Sequence, residues 1–219
     1  MSDDWAPRTG LGKLVKDGKI KSIDEVLDKG LKIREVGIVD ALIPDIESDL
    51  FLIGQAKGKF GGGQRRAFRQ TQKKTKDGNK PKFTTMAVVG NKDGVVGIGV
   101  GDSRETVPAR EKALRNAKLN LIKVKRGCGS WECGCKGDHS IPMKVSSKVS
   151  SVEITLMPAP KGVGLCIHDE CKKLLSLAGI KDVWSKTNGH TRSGMNLIYA
   201  CFNALKKLSL VKVKEEVKK

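Results

Sequence analysis

The sequence predicts an α+β protein of two domains, and three observations carry that prediction. "KFTTMAVVG", the turn "NKDG" and "VVGIGVG" read as an apolar hairpin, and a stretch of helical period follows from Ser103. From Ser151 onward the pattern runs strand, helix, strand, helix. Between the two regions lies "CGSWECGCKGDH", which holds three cysteines and a histidine in Cys128 to His139. At 219 residues the chain is long enough for one large domain or two small ones, each with its own core. The expected division is an extension over 1–50, a first domain over 51–126, a cysteine-rich junction over 127–140, a second domain over 141–208 and a basic tail over 209–219.

Within the extension, Ser22-Ile-Asp-Glu is a capping-box helix start and Gly30 its stop. "IREVGIVDALIP" makes a second short apolar segment, ended by Pro44. Neither piece can fold alone, so both are expected to lie against the two domains.

The first domain is expected to hold three strands and a helix. "QRRAFRQTQKKT" is a polar, basic strand that breaks at "DGNKP". The next two strands are joined where Gly94 can take the positive φ of a tight turn. The third alternates, with Val96, Ile98 and Val100 on one face and Gly97, Gly99 and Gly101 on the other. A glycine face lets a neighbour approach the backbone, most often a helix and less often RNA. Ser103 is then expected to cap a helix through about Val124, with Pro108 tolerated in its first turn. Ala113, Leu114, Ala117 and Leu121 form its apolar stripe, and Arg104, Arg110, Lys112, Arg115 and Lys118 occupy the rest.

The second domain has a strand in "SSVEITLMPAPKGVG", a helix in "DECKKLLSLAG" stopped by Gly179, a strand in "KDVWSKT" and a helix in "GMNLIYACFNALKKL". Its expected core includes Leu174, Leu175, Ala178, Ile198, Cys201, Phe202 and Leu205. The tail "VKVKEEVKK" is polar and expected to fray.

Charge points to the partner. The net charge is +18, and the excess is uneven: residues 1–50 carry eight basic and eleven acidic side chains. Over 55–82, Lys57, Lys59, Arg65, Arg66, Arg69, Lys73, Lys74, Lys76, Lys80 and Lys82 face only Asp77. So dense a run repels itself unless a polyanion neutralises it, which favours nucleic acid over an anionic membrane or a merely solvated face. Arg104, Arg110, Lys112 and Arg115 join the candidate contacts. Nine aromatics in the whole chain are few for a single-strand binder, which stacks bases on interleaved rings. Double-stranded RNA instead presents phosphates and 2′-hydroxyls, and asks for Lys and Arg on stiff strands. No apolar segment is long enough to span a bilayer and "MSDDWAPRTG" is no signal peptide, so a reducing cytoplasm is expected.

An enzyme reading fails on its motifs. "GQAKGKFGGG" lacks the Gly-Lys-Ser/Thr of a phosphate-binding loop, and "GIGVGDS" lacks the third glycine of a dinucleotide fingerprint. His168 and His190 are isolated, while Cys166, Cys171 and Cys201 read as buried thiols. Cys128, Cys133, Cys135 and His139 are different. Three thiolates and an imidazole are the ligand set of a closed structural zinc site, and Gly127, Gly129, Gly134 and Gly137 let a short loop wrap an ion. A redox centre would more typically use Cys-x-x-Cys at a helix start, and unmetallated thiols are the plain alternative.

"AVVGNKDGVVGIGVGDSRETVPAREKALRNAKLNLIKV", "SVEITLMPAPKGVGL" and "LAGIKDVWSKTNGHT" resemble the universal small-subunit ribosomal protein five family in its archaeal form. The similarity covers about residues 64 to 207. It implies a double-stranded-RNA-binding-like first domain, a three-stranded antiparallel sheet plus helix without the usual first helix. A βαβα second domain with a left-handed crossover is implied to follow. It further implies a place on the small subunit near messenger entry and the decoding region, beside ribosomal proteins four and eight, with a part in translational accuracy. "KTKDGNKPKF" matches the family's rRNA-contacting loop, so Lys76, Asn79, Lys80 and Lys82 carry over as RNA contacts. "AKGKFGGGQRRAFRQ" departs from the commoner pattern and is expected to be an arm that rRNA orders. A free-standing double-stranded-RNA regulator and a metal- or thiol-dependent enzyme are the competing readings.

Overall fold

The computed structural model describes residues 5–55, 65–135 and 137–210. The chain divides into two compact units, Met1–Lys123 and Val124–Lys219.

The first unit opens with three short helices, α1 (Gly10–Lys16), α2 (Ile23–Asp28) and α3 (Val36–Leu42). Ser22 caps α2 as the sequence predicts: its hydroxyl accepts from Glu25 N at 3.4 Å and donates to Glu25 Oε1 at 2.9 Å. Gly30 ends that helix at φ +66°. The helix α1 was not expected, although Thr9, which accepts from Gly12 N at 3.1 Å, is a cap residue by type and Gly18 follows at φ +73°. The helices bury Val15, Ile23, Val26, Ile38 and Val39 with Val89, Val95, Ala117 and Leu121 of the first domain, so the extension does lie against that domain. Ion pairs reinforce the seat. Lys123 meets Asp28 at 2.9 Å and Asp24 at 3.4 Å, Lys118 meets Asp40, and Lys92 meets Glu47. The acidic excess of residues 1–50 thus faces lysines of its own domain.

The sheet holds β1 (Glu47–Leu50), β2 (Arg69–Thr75), β3 (Gly78–Gly90), β4 (Val95–Ser103) and β5 (Leu121–Lys123), all antiparallel. Its order is β1-β3-β4-β5, and β2 pairs with the first half of β3. Two expectations need correction here. "DGNKP" is not a break: only Lys76 and Asp77 form the turn, and β3 starts at Gly78 and runs through Pro81. Proline is tolerated because β4 joins the other edge of β3 only from Phe83, so no ladder bond is lost there.

The second correction concerns the helix α4 (Thr106–Leu119). Ser103 is the last residue of β4, paired with Phe83, and the N-cap is Glu105 without a side-chain hydrogen bond. Arg104 therefore precedes the helix. The helix ends at Leu119, and Leu121 heads β5 because the edge of β4 offers a ladder at Gly97, Val96 and Val95. Pro108 does sit in the first helical turn, and Ala109, Ala113 and Ala117 are buried as the apolar stripe.

The glycine face of β4 packs against α4. A Cβ on Gly99 would lie 2.5 Å from Ala113 O and 2.6 Å from Asn116 C, so helix and strand backbones touch. At the hairpin, Asn91 Oδ1 accepts from Asp93 N at 2.8 Å and Val95 N at 3.0 Å, and Gly94 sits at φ +90°. Gly94→Val should cost about 1–3 kcal/mol, because a β-branched side chain resists positive φ. A denaturant midpoint equal to the parent's would overturn this account of the turn.

The second unit contains β6 (Val145–Val149), β7 (Val152–Pro158), β8 (Leu165–Cys166), α5 (Asp169–Leu177), β9 (Val183–Gly189) and α6 (Gly194–Ser209). The sheet order is β6-β7-β9-β8, with β8 parallel to β9 and the other pairs antiparallel. Strands β6 and β8 are additions to the sequence reading. The serines of "VSSKV" hid β6, although Ser147 is buried. Gly179 stops α5 at φ +78°, and the seven expected core residues are all buried. Cys171 and Cys201 are buried thiols, but Cys166 is exposed, since it lies on the two-residue edge strand. Most of the basic tail, residues 211–219, lies outside the described residues. Among the described residues no helix is long and apolar enough to cross a membrane.

Candidate nucleic-acid interface and metal cluster

The basic residues gather on the part of the first sheet that outruns β4. Residues Gly78–Lys82 of β3 have β2 on one edge and no strand on the other, which leaves a two-stranded ribbon. Strand alternation sorts its side chains. Arg69, Lys73, Lys80 and Lys82 share one face, since Lys73 pairs with Lys80 and Thr71 with Lys82. Lys74 and Asn79 share the other, and Lys76 stands at the tip. Lys80 meets Asp77 at 3.1 Å and Lys82 meets Asp102, so a second carboxylate joins the one found by sequence. Each of these lysines is about half exposed, and such pairs contribute little, roughly 0–1 kcal/mol, so a phosphate can replace them. Asp102 is held below the ordinary carboxylate range chiefly by the hydrogen bond from Lys82.

Of the remaining candidates, Lys112 adjoins the base of the ribbon through Asp102, the partner of Lys82, and the others sit on other elements. Arg65 and Arg66 precede β2, where Gly54 N donates to Arg66 O at 2.7 Å. Lys112 reaches back to Asp102 O at 3.2 Å. Arg110 lines a small pocket with Ser48, Asp49 and Leu50. Arg115 faces the N-terminal helices instead, in a larger cleft. Lys57, Lys59 and most of the glycine-rich arm lie outside the described residues.

Cys128, Cys133, Cys135 and His139 do come together: their ligand atoms all lie within 4.8 Å of one another. Gly127 N donates to Ser140 O at 3.0 Å and Gly129 N to Ile141 O at 3.1 Å, which ties down the start of the loop. Gly129 is required there, because an added Cβ would collide with the Pro142 carbonyl. Cys133 Sγ is 3.0 Å from Cys135 Sγ and 3.9 Å from His139 Nε2, and Cys135 Sγ is 3.1 Å from that nitrogen. A tetrahedral zinc would hold sulfur atoms about 3.8 Å apart and sulfur about 3.5 Å from nitrogen, so small shifts suffice. The hydrogen bond from Cys135, with others from the Lys161 and Cys135 backbone, lowers the Cys133 thiol to about 6. That favours the thiolate a metal needs. Burial pushes Cys128 up instead.

One residue that touches the cluster has no signal in the sequence. Asp182 is buried, and its Oδ2 lies 2.7 Å from His139 Nδ1. The imidazole then donates from Nδ1 and turns the lone pair of Nε2 toward the thiols, the carboxylate–histidine arrangement of metal sites. Asp182 Oδ1 accepts from Gly162 N at 3.1 Å and Gly164 N at 2.8 Å. Burial works to raise the Asp182 carboxyl, but the bonds from Gly164, His139 and Gly162 outweigh it and hold it low. Asp182 lies 43 residues from its histidine, and no local pattern announces it.

Two family models match, and both describe ribosomal proteins. The N-terminal domain of ribosomal protein S5 matches residues 65–125, and the C-terminal domain of the same family matches residues 147–219. Curated relatives agree along nearly the whole chain. The small ribosomal subunit protein uS5 of Nanoarchaeum equitans is 52% identical over 96% of this chain and 90% of its own length. Those of Methanobrevibacter smithii and Thermofilum pendens are 48% and 49% identical, over 97% and 94% of this chain and 93% and 95% of their own lengths. The chain belongs to the ribosomal protein S5 family, in its archaeal form. That is a structural, non-enzymatic family, and the matches give the free-standing regulator no support.

Proposed function

We propose that this chain is a structural constituent of the small ribosomal subunit, working in the cytoplasm, where it binds rRNA and helps it fold. The reading rests on family membership together with one observation: a basic two-stranded ribbon projects past the sheet, with cations on both faces and at its tip. Lys73, Lys74, Lys76, Asn79, Lys80 and Lys82 are the contacts, with Arg65, Arg66 and Arg69 behind them. The antiparallel sheet backed by α4 fits a double-stranded-RNA-binding-like domain. In the second unit, the parallel β8-α5-β9 segment is the natural place for the left-handed crossover of a βαβα domain. By resemblance the site lies near messenger entry and the decoding region, beside ribosomal proteins four and eight, and contributes to accuracy.

The salt dependence of binding to small-subunit rRNA tests the ribbon. Replacing Lys76, Lys80 and Lys82 with Ala should flatten the slope of log K against log salt by roughly 0.9 per lost contact, with duplex DNA as guide. An unchanged slope would place the RNA surface elsewhere.

The cluster is proposed as a structural zinc site of Cys128, Cys133, Cys135 and His139, with Asp182 orienting the histidine. When bound, the ion supplies folding energy to the loop rather than reaction chemistry. Asp182→Asn, which puts an amide where the carboxylate accepts, should weaken zinc binding by about 10–100-fold in a competition titration with a chromophoric chelator. Parent-like affinity would remove Asp182 from the site.

A further inference from the structure

A cleft of about 710 Å³ in the first unit lies between the N-terminal segment and α4. Its lining includes Trp5, Arg8, Arg34, Leu114, Arg115 and Lys118. Two carboxylates are also present, Glu35 and Glu111, but Glu35 is already engaged. It accepts from Trp5 Nε1 at 3.1 Å, Arg8 N at 2.9 Å and Thr9 N at 2.5 Å, which fastens the N-terminal segment to the start of α3. Lys118 is engaged too, by Asp40. Among the described residues no hydrogen bond or ion pair involves the guanidinium of Arg8, Arg34 or Arg115. Three unpaired cations, two from the N-terminal segment and one from α4, therefore line the opening.

The indole of Trp5 is held in place. One side rests on Gly37, where an added Cβ would meet its Cδ2 at 2.5 Å, and its Nε1 is tied to Glu35. The cleft thus combines a fixed aromatic wall, the apolar side chain of Leu114, and planar guanidinium forks suited to phosphate. A flat base with an anionic group attached meets those requirements, and the volume lies in the range of small-ligand sites. An acidic peptide fits less well, since it would bring carboxylates against Glu111. That same carboxylate can accept from a ribose hydroxyl or an exocyclic amine.

We propose that this cleft receives one unpaired nucleotide of an RNA strand, with its base against Trp5 and Leu114 and its phosphate on Arg34 and Arg115. The proposal rests on the reading that the chain binds rRNA, and adds a second contact separate from the ribbon.

The test uses the full chain carrying Trp131→Phe and Trp184→Phe, so that Trp5 is its only tryptophan. Should Trp184→Phe impair folding, 5-fluorotryptophan labelling of the parent, with the Trp5 resonance assigned by Trp5→Phe, gives the same readout. The probe is a single-stranded RNA pentamer of adenosine. It should quench or shift Trp5 saturably, and Arg34→Ala with Arg115→Ala should weaken that binding about 100-fold, roughly tenfold for each charge-assisted contact. No response of Trp5, or an equal response in the double arginine variant, overturns the proposal. So does equal affinity for adenosine monophosphate, which would make the ligand a free nucleotide, or a stronger response to a polyglutamate peptide. Replacing Lys76, Lys80 and Lys82 should leave the Trp5 response intact. Unchanged duplex binding in that variant would therefore count against the ribbon alone, and a parent that binds duplex RNA without any Trp5 response would count against the cleft alone.

Discussion

Gly99→Ala should prevent the first unit from folding, although it adds only a methyl group. Its Cβ would lie 2.5 Å from Ala113 O and 2.6 Å from Asn116 C, and closer still to Ala117 N. All three are helix backbone atoms, which cannot rotate away as a side chain could. Either α4 lifts from β4 or the strand bends, and both separate the buried Ala109, Ala113 and Ala117 from the sheet. The expected loss exceeds about 4 kcal/mol, a large share of the stability of a domain this size. Gly10→Ala is the matched control. It heads α1 with nothing within 4 Å of an added Cβ, so it should be neutral or stabilise by up to about 1 kcal/mol. Thermal unfolding followed by circular dichroism distinguishes them, and a Gly99→Ala protein melting with the parent would refute the close packing.

Loss of the metal cluster should be as large an effect, but confined to one loop. Purified protein is expected to hold about one zinc per chain, and Cys133→Ser should reduce the affinity by more than the roughly 100-fold upper range for an orienting partner. A hydroxyl is a far poorer zinc ligand than a thiolate. Residues 127–140 should lose order, while the helices and strands of both units remain, since each has its own buried core. Acid should release the ion, because metal ligands bind only when deprotonated. Asp182, held below its ordinary 3.8, stays charged at about pH 5, so release between neutrality and that pH does not come from loss of its charge. The contribution of Asp182 itself is present above the ordinary carboxylate range and is lost only as pH falls through its lowered value. Elemental analysis without zinc, or three thiols that alkylate freely before chelation, would make the loop a glycine-rich linker.

Much of this was legible because the signals are local. Ser22 and Glu25 are three residues apart, so the capping box can be read without any tertiary knowledge. The turn at Gly94 and the stops at Gly30 and Gly179 are likewise choices of one residue's φ. The alternation of Gly97, Gly99 and Gly101 was read as a close-approach face, and the helix that uses it comes next in sequence. The four side chains of the cluster lie within twelve residues, so their type and spacing could be read together.

What sequence alone determined, then, is the α+β class, the long amphipathic elements, the basic ribbon, the presence of a cysteine–histidine cluster and the family. Each depends on composition or on neighbours a few residues apart. Tertiary structure decided where α4 gives way to β5, that Pro81 belongs inside a strand, and that β1, β6 and β8 exist at all. It also brought Asp182 to His139, Arg8 and Arg34 to Arg115, and the acids of the extension to Lys92, Lys118 and Lys123. Strands of two to five residues have too little intrinsic preference to form alone, and they appear only when another strand's open edge supplies their hydrogen bonds. Charge pairs across tens of residues are set by the same packing, which no window along the chain contains.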